Sequence, residues 1–258
     1  MAVLTKRRKF VLSSFFLTLG LYLLEVIGFE FKYQAIGLLS ILAAVLSFWS
    51  LKEATTGLAT WLTLVLPFFF TAGVALFYFL LPSNILTVIP ILMIYFLGMY
   101  ALFLTENIFS VAAIRTINLF RSASAVGFLL TLLISFFLNN TLISFKLAFY
   151  HNFLLTFVIY FPLVLTGLWS VNLEERLTGD LLIFSFTIAL FLSELAMALS
   201  FWPVTVTVGS LFLTASLYVV LGLAQASLSG RLFKKTVREY LLVGLAVLVI
   251  MFFYTSWG

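Results

Sequence analysis

The sequence predicts an all-α bundle that threads a membrane about nine times, and three observations predict it. Hydrophobic residues make up 64% of the 258 and charged residues only 9%, against roughly 25% charged in ordinary soluble domains. The apolar residues fall in runs of about 20, the length that crosses a hydrocarbon core at about 1.5 Å per residue. The runs do not alternate, as Phe68-Phe69-Phe70 and Leu245-Ala246-Val247-Leu248-Val249-Ile250 show. A membrane β-barrel needs strict alternation over segments of about 10 residues. A soluble fold of this length has no means of hiding so much apolar surface, and the mean hydropathy of +1.24 states the same excess.

The first span, 10–29, follows a basic run, Lys6-Arg7-Arg8-Lys9. That run has the charge of a signal peptide's start, but no small-x-small cleavage site follows it and Glu25 interrupts the apolar stretch. It reads as a retained anchor. Residues 30–33 connect to the second span, 34–51, and 52–56 turn into the third, 57–81. Pro82-Ser83-Asn84 marks a tight turn. The fourth span, 85–104, contains Pro90, which removes a backbone donor and predicts a kink. Residues 105–121 are more polar. The fifth span is 122–138, with a loop expected at 139–146. The sixth, 147–171, is followed by a polar stretch, 172–179. The seventh, 180–201, stops at Trp202-Pro203. The eighth is 204–227. Residues 229–239 are basic, and the ninth span is 240–257.

Charge tests this count. With the N-terminus in the cytoplasm and nine crossings, Lys6, Arg7, Arg8, Lys9, Lys52, Arg115, Arg121, Arg176, Arg231, Lys234, Lys235 and Arg238 lie inside, and only Lys32 and Lys146 outside. Twelve against two accounts for all fourteen basic residues and satisfies the positive-inside rule. The C-terminus is then outside. The net charge of +5 is this asymmetry, not a nucleic-acid surface. Anionic lipid headgroups on the inner leaflet are its expected partner.

The chain reads as one transmembrane domain, 1–258, with an internal repeat. Trp49-Ser50 ends the second span and Trp169-Ser170 the sixth, 120 residues on. Thr56-Gly57 and Thr178-Gly179 open the spans that follow, a shift of 122, and Pro82 and Pro203 end them, a shift of 121. Four crossings preserve orientation. Spans two to five and six to nine are therefore expected to form a parallel pair of four-helix repeats, 30–146 and 147–258, behind one extra helix. Interfacial positions collect aromatic and turn residues anyway, so coincidence is the competing account.

Intramembrane ionisable groups are the first place to look for chemistry. Glu25 and Glu194 both lie in the outer halves of their spans at similar depth, with Lys146 and His151 as candidate partners on the outer side. Together they suggest a proton- or cation-binding pair. The plainer reading is two protonated acids, each bonded to a neighbouring helix. In 105–121, Asn107, Ser110, Asn118 and Arg121 share one helical face while Phe109, Ala113 and Phe120 lie opposite. That pattern suits a helix at headgroup level, with Glu106, Arg115 and Arg121 as lipid or partner contacts. Arg231, Lys234, Lys235 and Arg238 form the matching set after the eighth span. No metal site is expected from the ligand types, since the chain has no cysteine and one histidine, His151. Asn139-Asn140-Thr141 fits the glycosylation pattern but sits against the membrane, so chance explains it. No nucleotide loop, nucleophile elbow, zinc helix or dinucleotide fingerprint occurs, and no cofactor is expected.

Two stretches carry a resemblance. Thr105-Glu106-Asn107-Ile108-Phe109 running to Ala112-Ala113-Ile114-Arg115-Thr116, and Glu194 running to Ser200-Phe201-Trp202-Pro203, together resemble a polytopic membrane family of unknown function found in bacteria with reduced genomes. The resemblance covers about a fifth of the chain and implies a bacterial inner membrane. It transfers no activity and no site residue.

Three functions remain. The leading one is a structural or accessory subunit of a membrane assembly, with other membrane subunits as partners. The alternative is a small-solute or ion transporter using Glu25 and Glu194. The third, a lipid-modifying enzyme built on Glu106, Arg115 and Arg121, has the least support, so the chain is read as more a non-enzyme than an enzyme.

Overall fold

A computed structural model describes residues 5–26, 31–52, 57–82, 84–114 and 118–255, the side chains of 25 and 26 excepted. Those residues form ten helices and no strand: α1 (Lys6–Val26), α2 (Lys32–Leu51), α3 (Leu58–Leu62), α4 (Val65–Tyr78), α5 (Ile85–Ala112), α6 (Phe120–Ser144), α7 (Phe149–Asn172), α8 (Gly179–Leu199), α9 (Val206–Leu228) and α10 (Lys234–Phe253). Taking α3 with α4 as one apolar stretch, eight segments among the described residues are long and apolar enough to cross a membrane. With α1 ahead of them, the chain is a multi-pass α-helical membrane protein.

The third expected span is broken where its own proline dictates. The ring of Pro67 clashes with the carbonyl four residues back, that of Thr63. Thr63 and Leu64 accordingly form a turn between α3 and α4. The Thr63 hydroxyl donates to the Ala59 carbonyl at 2.8 Å, beside the bond that carbonyl accepts from Thr63 N–H at 3.1 Å. Pro90 sits near the start of α5 and leaves the helix continuous. Asn84 caps that helix: its side chain accepts from Leu86 N–H at 2.7 Å and Thr87 N–H at 3.2 Å.

Three boundaries depart from the sequence reading. The stretch 105–121 is not a headgroup-level connector throughout, because α5 continues to Ala112 and buries Thr105, Glu106, Phe109 and Ser110. Residues 139–144 are not a loop. They are the last turns of α6, and Asn139, Asn140 and Thr141 are buried there. The basic stretch 229–239 is part helix, since α10 begins at Lys234.

Contacts group the helices into two compact units, Met1–Leu130 and Thr131–Gly258, with the division inside α6. In the first unit α1 packs on α2 and α5, and α2, α4 and α5 pack on one another. In the second, α7, α8 and α9 pack on one another and α10 packs on α9. Glycine permits one close approach there: a Cβ on Gly222 would strike the ring of Tyr240. At the far end of α10, Met251 joins Ala196, Leu199 and Leu213 in a buried cluster, and it is the sole buried residue of that helix.

Candidate functional site

The inward stripe of α1 is Phe10, Ser13, Ser14, Leu17, Leu21 and Leu24, spaced three and four apart as one helical face requires. Phe10 stacks on Phe103 of α5 with ring centroids 5.9 Å apart. Ser13 shares a hydrogen bond with Ser50 of α2 at 3.1 Å. Deeper in the same unit Tyr95 stacks on Phe70 at 5.6 Å and shares a 2.9 Å hydrogen bond with Thr71. These contacts place the first turn of α1, the end of α2 and the last turns of α5 at one end of the unit.

Glu106 lies at that end. It continues the buried stripe of Tyr95, Met99, Leu102 and Phe103, and none of its surface is exposed. The Ser110 hydroxyl donates to the Glu106 main-chain carbonyl at 2.7 Å, but neither carboxyl oxygen has a hydrogen-bond partner. Asn107 Oδ1 is buried without a partner as well, and so are the hydroxyls of Ser14 and Ser47. An isolated carboxylate in a low-dielectric interior is costly, so such a group holds a proton or a cation.

The buried polar groups of the second unit are uncharged, and several pair across helices, although Asn152 Oδ1 and the hydroxyls of Thr156 and Thr166 have no partner. Asn139 Nδ2 donates to the Tyr160 hydroxyl at 2.7 Å, to Ser135 Oγ at 3.2 Å and to Thr214 Oγ1 at 3.3 Å. Ser135 and Tyr160 share a further bond at 2.6 Å. The cluster ties α6, α7 and α9 together. Gln225 Nε2 adds a bond from α9 to the Gly167 carbonyl of α7 at 2.8 Å, and Asn152 Nδ2 reaches Ser200 Oγ at 2.9 Å, joining α7 to the end of α8.

The residues singled out by sequence are dispersed. Glu25 is helical in α1, but its side chain lies outside the described residues. Glu194 is exposed on α8, in a stripe with Ile183, Thr187, Phe191 and Ala198. Lys146 is exposed in the left-handed conformation with φ 49° just after α6. His151 is exposed, its ring 4.3 Å from that of Tyr150. Arg115 lies outside the described residues, and Arg121 is exposed in the first turn of α6. Glu106, expected at the headgroups, is inside the unit, because the helix carrying it does not end where its composition turns polar. Arg231, Lys234, Lys235 and Arg238 are exposed. Lys235 pairs with Glu239 at 3.9 Å, and a shallow groove of about 300 Å³ runs from Lys234 and Arg238 down to Leu245. Between α1 and α5 an open groove of about 440 Å³ is lined by Phe15, Thr18 and residues of α5. The Thr18 hydroxyl is committed to the Ser14 carbonyl at 2.8 Å, leaving that groove apolar. Among the described residues no three His, Asp or Glu side chains gather to hold a metal ion.

Sequence reasoning placed Glu106 on the wrong side of a helix end. The signal that locates it was present: Tyr95, Met99, Phe103, Glu106 and Ser110 recur at helical spacing without a break. A family model described as a protein of unknown function (DUF5656) matches residues 14–254. No curated protein and no solved structure matches the chain.

Proposed function

We propose that this chain, which belongs to the DUF5656 family of proteins of unknown function, serves as a subunit of a membrane assembly and receives a partner helix on the exposed side of α8. One observation carries the reading. Glu194 faces outward in an apolar helix, and Thr187, two turns earlier, is exposed with it. A helix side bathed by lipid alone gains nothing from a carboxyl, and insertion scales put acidic groups at about 3 kcal/mol unfavourable near the centre of a span. Transmembrane helices associate through such groups, with hydroxyls, amides and small residues allowing close approach. Ala198, one turn beyond Glu194, supplies the small residue. The partner this face suits is a transmembrane helix offering a hydroxyl, amide or ammonium donor at the depth of Glu194.

The transport alternative needs Glu194 turned into a cavity alongside Glu25. The outward direction of Glu194 supports the subunit reading instead. The basic residues of the α1 start and the α10 start support a cytoplasmic N-terminus, and the family resemblance supports a bacterial inner membrane.

The test is purification of the full chain in a mild detergent with identification of co-purifying membrane proteins. The native chain is expected to bring down a defined multi-pass partner. Glu194→Leu should lose it, and Glu194→Gln should retain part of it because an amide still donates and accepts. A monodisperse native chain with no partner protein overturns the proposal.

A further inference from the structure

Three acceptor oxygens stand unserved at one end of the first unit: both carboxyl oxygens of Glu106 and Oδ1 of Asn107. All are shut off from solvent contact, and all belong to consecutive residues of α5. Among the described residues at that end, the buried hydroxyls of Ser14 and Ser47 are also without a partner, and the other hydroxyls are committed. Ser13 and Ser50 bond each other. Ser110 donates to a main-chain carbonyl, and Thr63 donates to the carbonyls of Ala59 and Thr60. The basic run on α1 does not neutralise the acid either. Arg7 and Arg8 are exposed, and the Lys9 ammonium lies over the Trp49 ring, 5.4 Å from its centroid. Lys6 is half-buried one turn before Phe10, on the same face, and no basic group among the described residues comes within ion-pair distance of the Glu106 carboxyl.

The chemistry of this set decides what it can take. The carboxylate repels an anion. One carboxylate balances one positive charge, which disfavours a divalent ion that would bring a second charge into the interior. Hard oxygen ligands from a carboxylate, a side-chain amide and hydroxyls suit a small alkali cation.

We propose that Glu106 and Asn107 form a binding site for a sodium-sized monovalent cation, filled from the end of the unit where α1 begins. The site belongs to the first unit and is independent of the α8 face. Lys6 is the competing charge: its ammonium shares the face of α1 that leads to the site, so removing it strengthens binding of the ion.

The test uses the purified full chain in detergent, with sodium chloride exchanged for choline chloride at constant ionic strength and fixed pH. Thermal unfolding and direct binding of radioactive sodium are both read. The native chain should show saturable stabilisation by sodium and bind one ion per chain. Glu106→Gln should abolish both responses while keeping helix content and elution volume. Asn107→Ala should raise the half-saturating sodium concentration several-fold, and Lys6→Gln should lower it. If Glu106→Gln fails to fold, Glu106→Asp keeps the charge and should still answer to sodium at reduced affinity; a folded Glu106→Asp chain that ignores sodium overturns the site. Two further results overturn it. The native chain could gain stability as pH falls while ignoring sodium, which makes a proton the sole occupant. Alternatively, the Glu106→Gln chain could retain the sodium response, which puts the ion elsewhere.

Discussion

The two units differ in one kind of buried polar group: the first buries a carboxyl, and the second, among the described residues, only neutral groups. α2, α4 and α5 in the first unit touch one another as α7, α8 and α9 do in the second, so the packing of three spans is shared. Yet the second unit joins its helices with Ser135, Asn139, Tyr160 and Thr214, a neutral cluster in which donors and acceptors find each other. The first buries a carboxyl that finds none. Neutral clusters of this kind hold helices together in a medium where van der Waals packing is otherwise the main attraction. An unserved carboxyl does no such work, and the proposed cation would account for its burial.

Exchanging the two chemistries should have the largest effect. Asn139→Asp removes the amide donor that serves Tyr160, Ser135 and Thr214 and adds a charge with no counterion. The expected cost is about 3 kcal/mol of stability, read by thermal unfolding in detergent. Glu106→Gln should cost nothing in sodium-free buffer and could add up to about 1 kcal/mol, since it relieves a buried acid. Equal losses for the two changes would mean that Glu106 is as structural as Asn139.

The paired tyrosines refine the contrast at smaller amplitude. Tyr160→Phe loses bonds to Ser135 and Asn139, whereas Tyr95→Phe loses one bond to Thr71 and keeps its stack on Phe70. At about 0.6 kcal/mol per interhelical hydrogen bond in a membrane, the first should cost about twice the second in chemical denaturation. A larger loss at Tyr95 would place the main polar joint in the first unit and undo the comparison.

What the sequence made legible follows from what hydropathy can register. Nine apolar runs stand out because lipid accepts nothing else over about 30 Å, and the chain shows them. Hydropathy scores a polar side chain alike whether it faces water or a neighbouring helix. That is why Asn139-Asn140-Thr141 read as a loop although it forms the end of α6, and why Glu106 read as a headgroup contact although α5 carries it inside. The break between α3 and α4 was written in Pro67, whose ring forbids a regular turn at Thr63, but an unbroken apolar run concealed it. The direction of Glu194 was beyond reach, because nothing in one helix says which side its neighbours occupy. The carboxyls at Glu25 and Glu194 drew attention by their depth. The acid without a partner sat six residues from a helix end.

The smallest effect concerns α10, which packs on α9 as the start of α6 packs on α5, where Phe109 meets Phe120 and Gly127. Its packing rests on α9, with Tyr240 against Gly222 at one end and Met251 in the cluster near Leu199 and Leu213 at the other. One side-chain bond ties its end to the α8–α9 turn: Trp202 Nε1 donates to Thr255 Oγ1 at 2.8 Å. Trp202→Phe keeps most of the ring and removes that donor, so it should cost about 0.6 kcal/mol. Global unfolding would barely register such a change. Hydrogen exchange would, because opening of a peripheral element is reported by its own amides and not by those of the core. Faster exchange confined to the last turns of α10, with the amides of α7 and α8 unchanged, is the expected pattern. Exchange that accelerates in α7 and α8 as well would make α10 an integral part of the second unit.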